Sequence, residues 1–192
     1  MGAKKAEARA ARRRKRMQRA FRRVPRRGTY VDHPRYGNRP ILSDERWTET
    51  EVRRAFWQYG RARIFPETAI RADLTRQNYG FSPRRCYVDI AERCRSCGRE
   101  FLWFALEQKH WFEELGFFID AQCHHCQDCR HISHKLRERR QAYDALIAKA
   151  DKTTAEWERL ERLGKALWDA GAITKPETLL KSRMPKRLRR RL

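Results

Sequence analysis

Apolar residues recur at helical spacing in three stretches of the chain. Between Glu49 and Tyr59, Val52, Phe56 and Tyr59 fall on one face. Thr48 and Glu51 have the spacing of a capping box, and Gly60 follows where a left-handed residue closes a helix. Further on, Ile132, Leu136, Tyr143, Leu146, Ile147 and Ala150 keep a helical period through residue 150. A second capping box, Thr153 with Glu156, opens a helix carrying Trp157, Leu160, Leu163 and Leu167 that ends near Gly171. These last two predict an antiparallel helical hairpin. Another start at Thr174, with Pro176 and Glu177, leads through Leu179 and Leu180 into a basic end.

Other segments lack that period. Tyr87 to Ile90 reads as a strand, and Glu107 to Leu115 as a short helix closed by Gly116. Residues 61 to 85, with Pro66, Gly80 and Pro83, read as a segment wrapped over a domain, and Tyr30 to Pro40 as extended chain. The organisation this predicts is a basic arm over 1–28, an irregular segment with one short helix over 29–86, and a cysteine-rich module over 87–130. A helical hairpin with the start of a third helix then covers 131–180, and a basic tail 181–192. No run of about 18 apolar residues occurs, so no membrane partner is expected.

Charge sharpens this division. The net charge is +22, yet residues 1–28 hold 13 Lys or Arg against Glu7 alone, and residues 181–192 hold 7 with no acid. The remaining residues carry only +3. Segments so poor in apolar residues cannot bury a core, and both tails are expected to be largely disordered. The hydrophobic fraction of 40%, including 11% aromatics, is enough for the centre to fold.

Six cysteines stand at 86, 94, 97, 123, 126 and 129. The chain shows no export signal at its start, and cytoplasmic thiols in C-x2-C pairs suit metal better than disulfides. Zinc takes four tetrahedral ligands, and one C-x2-C turn offers two sulfurs to one ion about 2.3 Å away. Cys94 and Cys97 form one pair, followed by Gly98, which permits a positive φ. The return pair is either Cys123 with Cys126 or Cys126 with Cys129, separated from the first pair by 25 or 28 residues, and spacing does not choose.

The run Tyr87-Val-Asp89, Cys94-x-x-Cys97-Gly98, Phe101, Glu107-Gln108, Trp111, Glu113-Glu114-Leu115-Gly116-Phe117 and Cys126-x-x-Cys129-Arg130 resembles the probable zinc-ribbon domain of uncharacterised bacterial proteins. His33-Pro-Arg-Tyr-Gly37 and Ile70-Arg-Ala-Asp73 resemble the upstream part of longer members. The resemblance implies a ligand set of Cys94, Cys97, Cys126 and Cys129 around one structural Zn2+, since that family closes its second pair with C-x-x-C and a basic residue. The expected fold class is a small α+β zinc ribbon with a four-cysteine site, a C-terminal helical hairpin and basic tails.

Plainer roles are expected for the other polar and aromatic residues. Cys86 should be a buried small hydrophobe and Cys123 a bystander. His124, His125, His131 and His134 should be polar surface. Glu107, Gln108, Glu113 and Glu114 should be the solvated face of a short helix. Most of Phe101, Trp103, Phe104, Trp111, Phe112, Phe117 and Phe118 should build the small core rather than stack on bases.

A closed four-thiolate site argues against an enzyme and against a small-molecule substrate. The tails favour nucleic acid, RNA or the ribosome ahead of duplex DNA. The phosphate-binding candidates are Arg12, Arg13, Arg14, Lys15, Arg16, Arg19, Arg22, Arg23, Arg26 and Arg27 in the arm, with Lys186, Arg187, Arg189, Arg190 and Arg191 in the tail. The alternative is a zinc-ribbon adaptor that docks a protein, its tails meeting an acidic surface.

Overall fold

The computed structural model describes residues 30–174. They fall into two compact units that divide between Cys129 and Arg130.

The first unit is built on a three-stranded antiparallel sheet of order β1-β2-β3, with β1 over Arg63–Arg71, β2 over Cys86–Arg93 and β3 over Glu100–Trp103. The strand expected at Tyr87–Ile90 is therefore longer, and it is central. Cys86 to Ile90 are all buried, as a strand covered on both faces requires. β1 was not expected, because residues 61–85 read as a wrapping segment. Its register runs from Arg63 opposite Ala91 to Phe65 opposite Asp89, slips, and resumes with Ile70 opposite Tyr87. Pro66 lies in that slip on an edge strand, where its missing N–H breaks no ladder. The slip places Thr68 and Ala69 side by side in the interior and erases the alternation a strand would show.

Helix α1 covers Glu49–Ala55 with the expected capping box, the Glu51 amide donating to Thr48 Oγ1 while the Glu51 carboxylate accepts from the Thr48 amide. It stops earlier than the period suggested. Phe56 is extended and buried, with a 3-10 turn over Trp57–Gly60 after it, and Gly60 does not take a positive φ. Burying the Phe56 ring against Arg84 ends the helix before any glycine cap is needed.

Helix α2 covers Ala105–Lys109 and continues as a π-helical turn over His110–Glu114, closed by Gly116 at φ +65°. Here the expected solvated face is overturned. Glu107, Gln108 and Glu113 are buried, while Glu114 and Leu106 are exposed. The reason is backbone chemistry. Gln108 Nε2 donates to the carbonyls of Val88 and Trp103, and Glu113 Oε1 accepts the Asp73 amide at 2.8 Å, so the helix docks by its polar side. Asp89 does the same at the opposite end, accepting the Ile41 amide at Oδ2 and the Ala105 amide at Oδ1. Burial pushes its carboxyl up to about 6 even against those two bonds.

Aromatic residues fill both faces of the sheet. Tyr30, Leu102 and Phe104 pack with Tyr36, Ile41 and Phe65, while Tyr87 stacks on Phe112, which meets Trp103 edge-on. Phe101 is buried as well and Trp111 partly so, as expected of a core; Phe117 and Phe118 are exposed.

Helix α3 covers Gln127–Ala148 and helix α4 covers Thr154–Asp169. In the second unit Tyr143 of α3 and Trp157, Leu160 and Leu167 of α4 form a core, packed by Leu136, Leu146, Ile147 and Leu163. A short link makes this the expected hairpin. The Thr153 and Glu156 capping box is present, and Gly171 follows α4 at φ +72°. Lys149 pairs with Glu156 and, together with the Thr153 amide, draws its carboxyl down to about 2. Beyond Thr174, the expected third helix lies outside the described residues.

Candidate metal centre

β2 and β3 pair in register from Ile90 with Trp103 to Arg93 with Glu100, which leaves Cys94 to Arg99 as the turn of a hairpin. The turn is fixed by its own backbone. The Cys94 amide donates to the Arg99 carbonyl and the Gly98 amide to the Cys94 carbonyl, each at 2.9 Å. Gly98 takes φ +74°, a conformation any side chain would strain, so the glycine after the second cysteine is required. Cys94 and Cys97 thereby face the same way.

The second pair is carried differently from the first. Cys126 immediately precedes α3 and Cys129 sits in its first turn, so a helix start, not another hairpin turn, presents these sulfurs. The partial positive charge of a helix N-terminus favours thiolate there. The Arg95 amide donates to the His124 carbonyl at 2.9 Å and ties the hairpin turn to the chain entering the helix.

The sulfurs of Cys94, Cys97, Cys126 and Cys129 all lie within 4.8 Å of one another. A tetrahedron with Zn–S bonds of about 2.3 Å has edges of about 3.8 Å. Cys97 and Cys126 are 3.7 Å apart, so the donor set fits zinc as it stands. Its proton chemistry points the same way. Cys94 is drawn far below the usual thiol range by S–H bonds from Cys126 and Cys129. Cys129 is pushed far up by its bonds to Cys126 and Cys94, and then by burial. One thiolate held by its neighbours' S–H groups is an arrangement that a dication completes by displacing the remaining protons.

Residues 88–138 match the family model of a probable treble clef domain. That segment is a treble clef domain with four cysteines placed to bind zinc. The zinc-ribbon reading and the treble clef match agree on the four-thiolate centre, and the structure adds that its second pair rides on a helix. No curated protein and no solved structure matches the chain. When bound, the ion supplies a cross-link between the hairpin turn and the helix start, and four thiolates complete its shell.

Around the treble clef centre one side chain stands out that the sequence gave no reason to single out. Arg99 reaches back across its own turn, with Nε 3.4 Å from Cys97 Sγ, Nη2 3.8 Å from Cys126 Sγ, and Nη2 2.7 Å from Asp128 Oδ2. Four thiolates around Zn2+ leave a net charge of −2 at the site, and a guanidinium that is only 13% exposed offsets part of it.

The other candidates fall as follows. Cys123 is buried outside the four, its thiol donating to the His125 carbonyl, and Cys86 is fully buried with its thiol pushed up to about 12 by burial. None of His124, His125, His131 and His134 joins the cluster; His131 and His134 are exposed. The fifteen basic candidates between Arg12 and Arg27 and between Lys186 and Arg191 lie outside the described residues. No helix among the described residues is long and apolar enough to cross a membrane.

Proposed function

We propose that the protein binds nucleic acid, RNA or a ribosomal surface ahead of duplex DNA, with zinc in a purely structural role and no enzymatic activity. The observation that carries this is the placement of charge. Residues 30–129 contain 15 basic and 15 acidic side chains and are neutral, whereas residues 1–28 and 181–192 carry +12 and +7. Phosphate binding needs side chains that displace counterions, and here these are concentrated in the arms. Backbone-directed contacts of this kind fix position without reading sequence.

The treble clef supports this reading by supplying a metal-pinned fold between two cationic segments of the sequence. Purification from cells with and without nuclease, followed by sequencing of what comes with the protein, tests it. Nucleic acid that copurifies and is lost on nuclease treatment is the expected result. A protein partner that survives nuclease, with no nucleic acid present, replaces this reading with the adaptor.

A further inference from the structure

Phe81 is completely exposed, Trp57 is 69% exposed, and Tyr79, Phe117 and Phe118 are each more than two-fifths exposed. Single exposed rings are ordinary, but these are gathered together. Asn78 bridges to Phe118 through the backbone, the Ile119 amide donates to the Asn78 carbonyl at 2.8 Å, and Asn78 Nδ2 donates to the Gly116 carbonyl. The loop bearing Tyr79 and Phe81 therefore runs beside the turn bearing Phe117 and Phe118. Gly80 fits against a ring there, since a Cβ on it would stand 3.6 Å from Phe118 Cζ. Trp57 joins the same face through its indole N–H, which donates to Asp120 Oδ1 at 3.2 Å, while Gln58 donates to the Asp120 carbonyl.

We propose that this face stacks the unpaired bases of a single-stranded nucleic acid; the proposal rests on the nucleic-acid reading above and adds which form is bound. Flat rings mounted on loops offer π-faces, and every base can use one regardless of sequence. A duplex keeps its base faces inside the stack and presents none.

Charge favours this occupant over an apolar protein surface. The two exposed acids at the face are already engaged, Asp120 by the Trp57 indole and Glu114 by His110 at 2.7 Å. Exposed Arg76 stands three residues before Tyr79, and the chain as a whole carries +22, which draws a polyanion. Bases on the aromatic face and phosphates on the cationic arms divide the work of binding a single strand.

The test uses the zinc-loaded full chain with a fluorescein-labelled oligouridylate and, separately, a blunt-ended RNA duplex of equal length. Tyr79→Ala with Phe81→Ala should weaken oligouridylate binding on the order of 10- to 100-fold, leaving duplex binding and its salt dependence unchanged. Phe81→Trp should retain the wild-type affinity. Phe81 touches solvent on all sides, so its loss does not threaten folding, and Trp57→Ala provides an independent second variant.

A double variant and a Trp57 variant that both bind oligouridylate like the wild type overturn the stacking face while leaving the arms as the binding site. Equal losses for single strand and duplex also overturn it. A wild-type chain that binds neither RNA overturns the nucleic-acid reading itself, and this proposal with it, and assigns the face to a protein partner.

Discussion

Arg99 donates to Asp128 at 2.7 Å, joining the end of the hairpin turn that holds Cys97 to the helix turn that holds Cys129. One side chain thus offsets part of the charge of the metal shell and fastens its two halves. Arg99→Ala should weaken zinc retention by roughly 10- to 100-fold, the range for lost outer partners of metal ligands, without lowering the zinc content at saturation. Competition against a chromogenic chelator reads this directly. Arg99→Lys should recover only part of the loss, since one ammonium cannot reach two sulfurs and a carboxylate together. Zinc release from Arg99→Ala at the wild-type rate would show the contact to be idle.

Cys129→Ser should release the ion or hold it only weakly, whereas Cys123→Ser should leave the zinc content near one per chain. Elemental analysis of the two purified variants separates them. A chelator should unfold the treble clef, because structural zinc supplies roughly 10–16 kcal/mol in small domains. Trp103, buried beside Phe112, reports that unfolding by fluorescence.

Arg84 is a buried cation held by rings and carbonyls rather than by an acid. Its guanidinium lies 4.1 Å from the Phe56 ring and 4.7 Å from that of Phe112, and it donates to the Ile119 carbonyl, Gln108 and Gln58. Arg84→Met keeps the volume but strands those acceptors in the interior, and should cost about 2–5 kcal/mol in urea unfolding of the zinc-loaded protein. A loss below about 1 kcal/mol would mean the acceptors find other donors.

Asp89 makes stability depend on pH in a direction opposite to most acids. Its folded carboxyl titrates near 6 instead of 3.8, so the folded state holds its proton longer than the unfolded chain does. Its contribution therefore declines as pH rises through that window. Between pH 5 and 7 the wild type should lose on the order of 1 kcal/mol relative to Asp89→Asn, whose side chain does not titrate. Taking the difference between the two proteins cancels the zinc thiolates, which respond to pH in both. A constant difference would place the Asp89 carboxyl in its ordinary range.

If about 6 to 10 arm side chains meet phosphates, affinity for RNA should fall roughly 10³- to 10⁵-fold between about 50 and 200 mM salt. Deleting residues 1–28 and 181–192 should flatten that slope while the zinc content stays at one. A truncated chain with the same affinity and slope would put phosphate binding in the folded units.

How far the sequence reached varies with the kind of signal. Capping boxes at Thr48 and Thr153 and positive-φ glycines at Gly98 and Gly116 are local backbone chemistry, and each is where its spacing put it. The metal centre was legible because chelation needs fixed spacings. β1 was hidden because Pro66 and the slip beside it remove the period-two pattern. α2 was misread for a subtler reason, since it is amphipathic in reverse. Leu106 faces outward while Gln108 and Glu113 dock onto backbone groups of the sheet and its neighbours, and no count of apolar positions identifies a polar face that is buried. Arg99 carried no signal at all, because its partners Cys126 and Asp128 become neighbours only through folding.

The two margins of the sheet have a consequence for self-association. Along β1, Pro66 offers no amide, the Ser43 amide occupies the Glu67 carbonyl, and the Glu45 carboxylate accepts the Arg71 amide. Along β3, which is only four residues long, Val31 already pairs with Phe101 and donates its amide to the Glu100 carbonyl. Both margins are thus partly occupied by the chain's own segments, and a second copy that extended the sheet across Glu67–Arg71 or Glu100–Phe101 would have to displace them first.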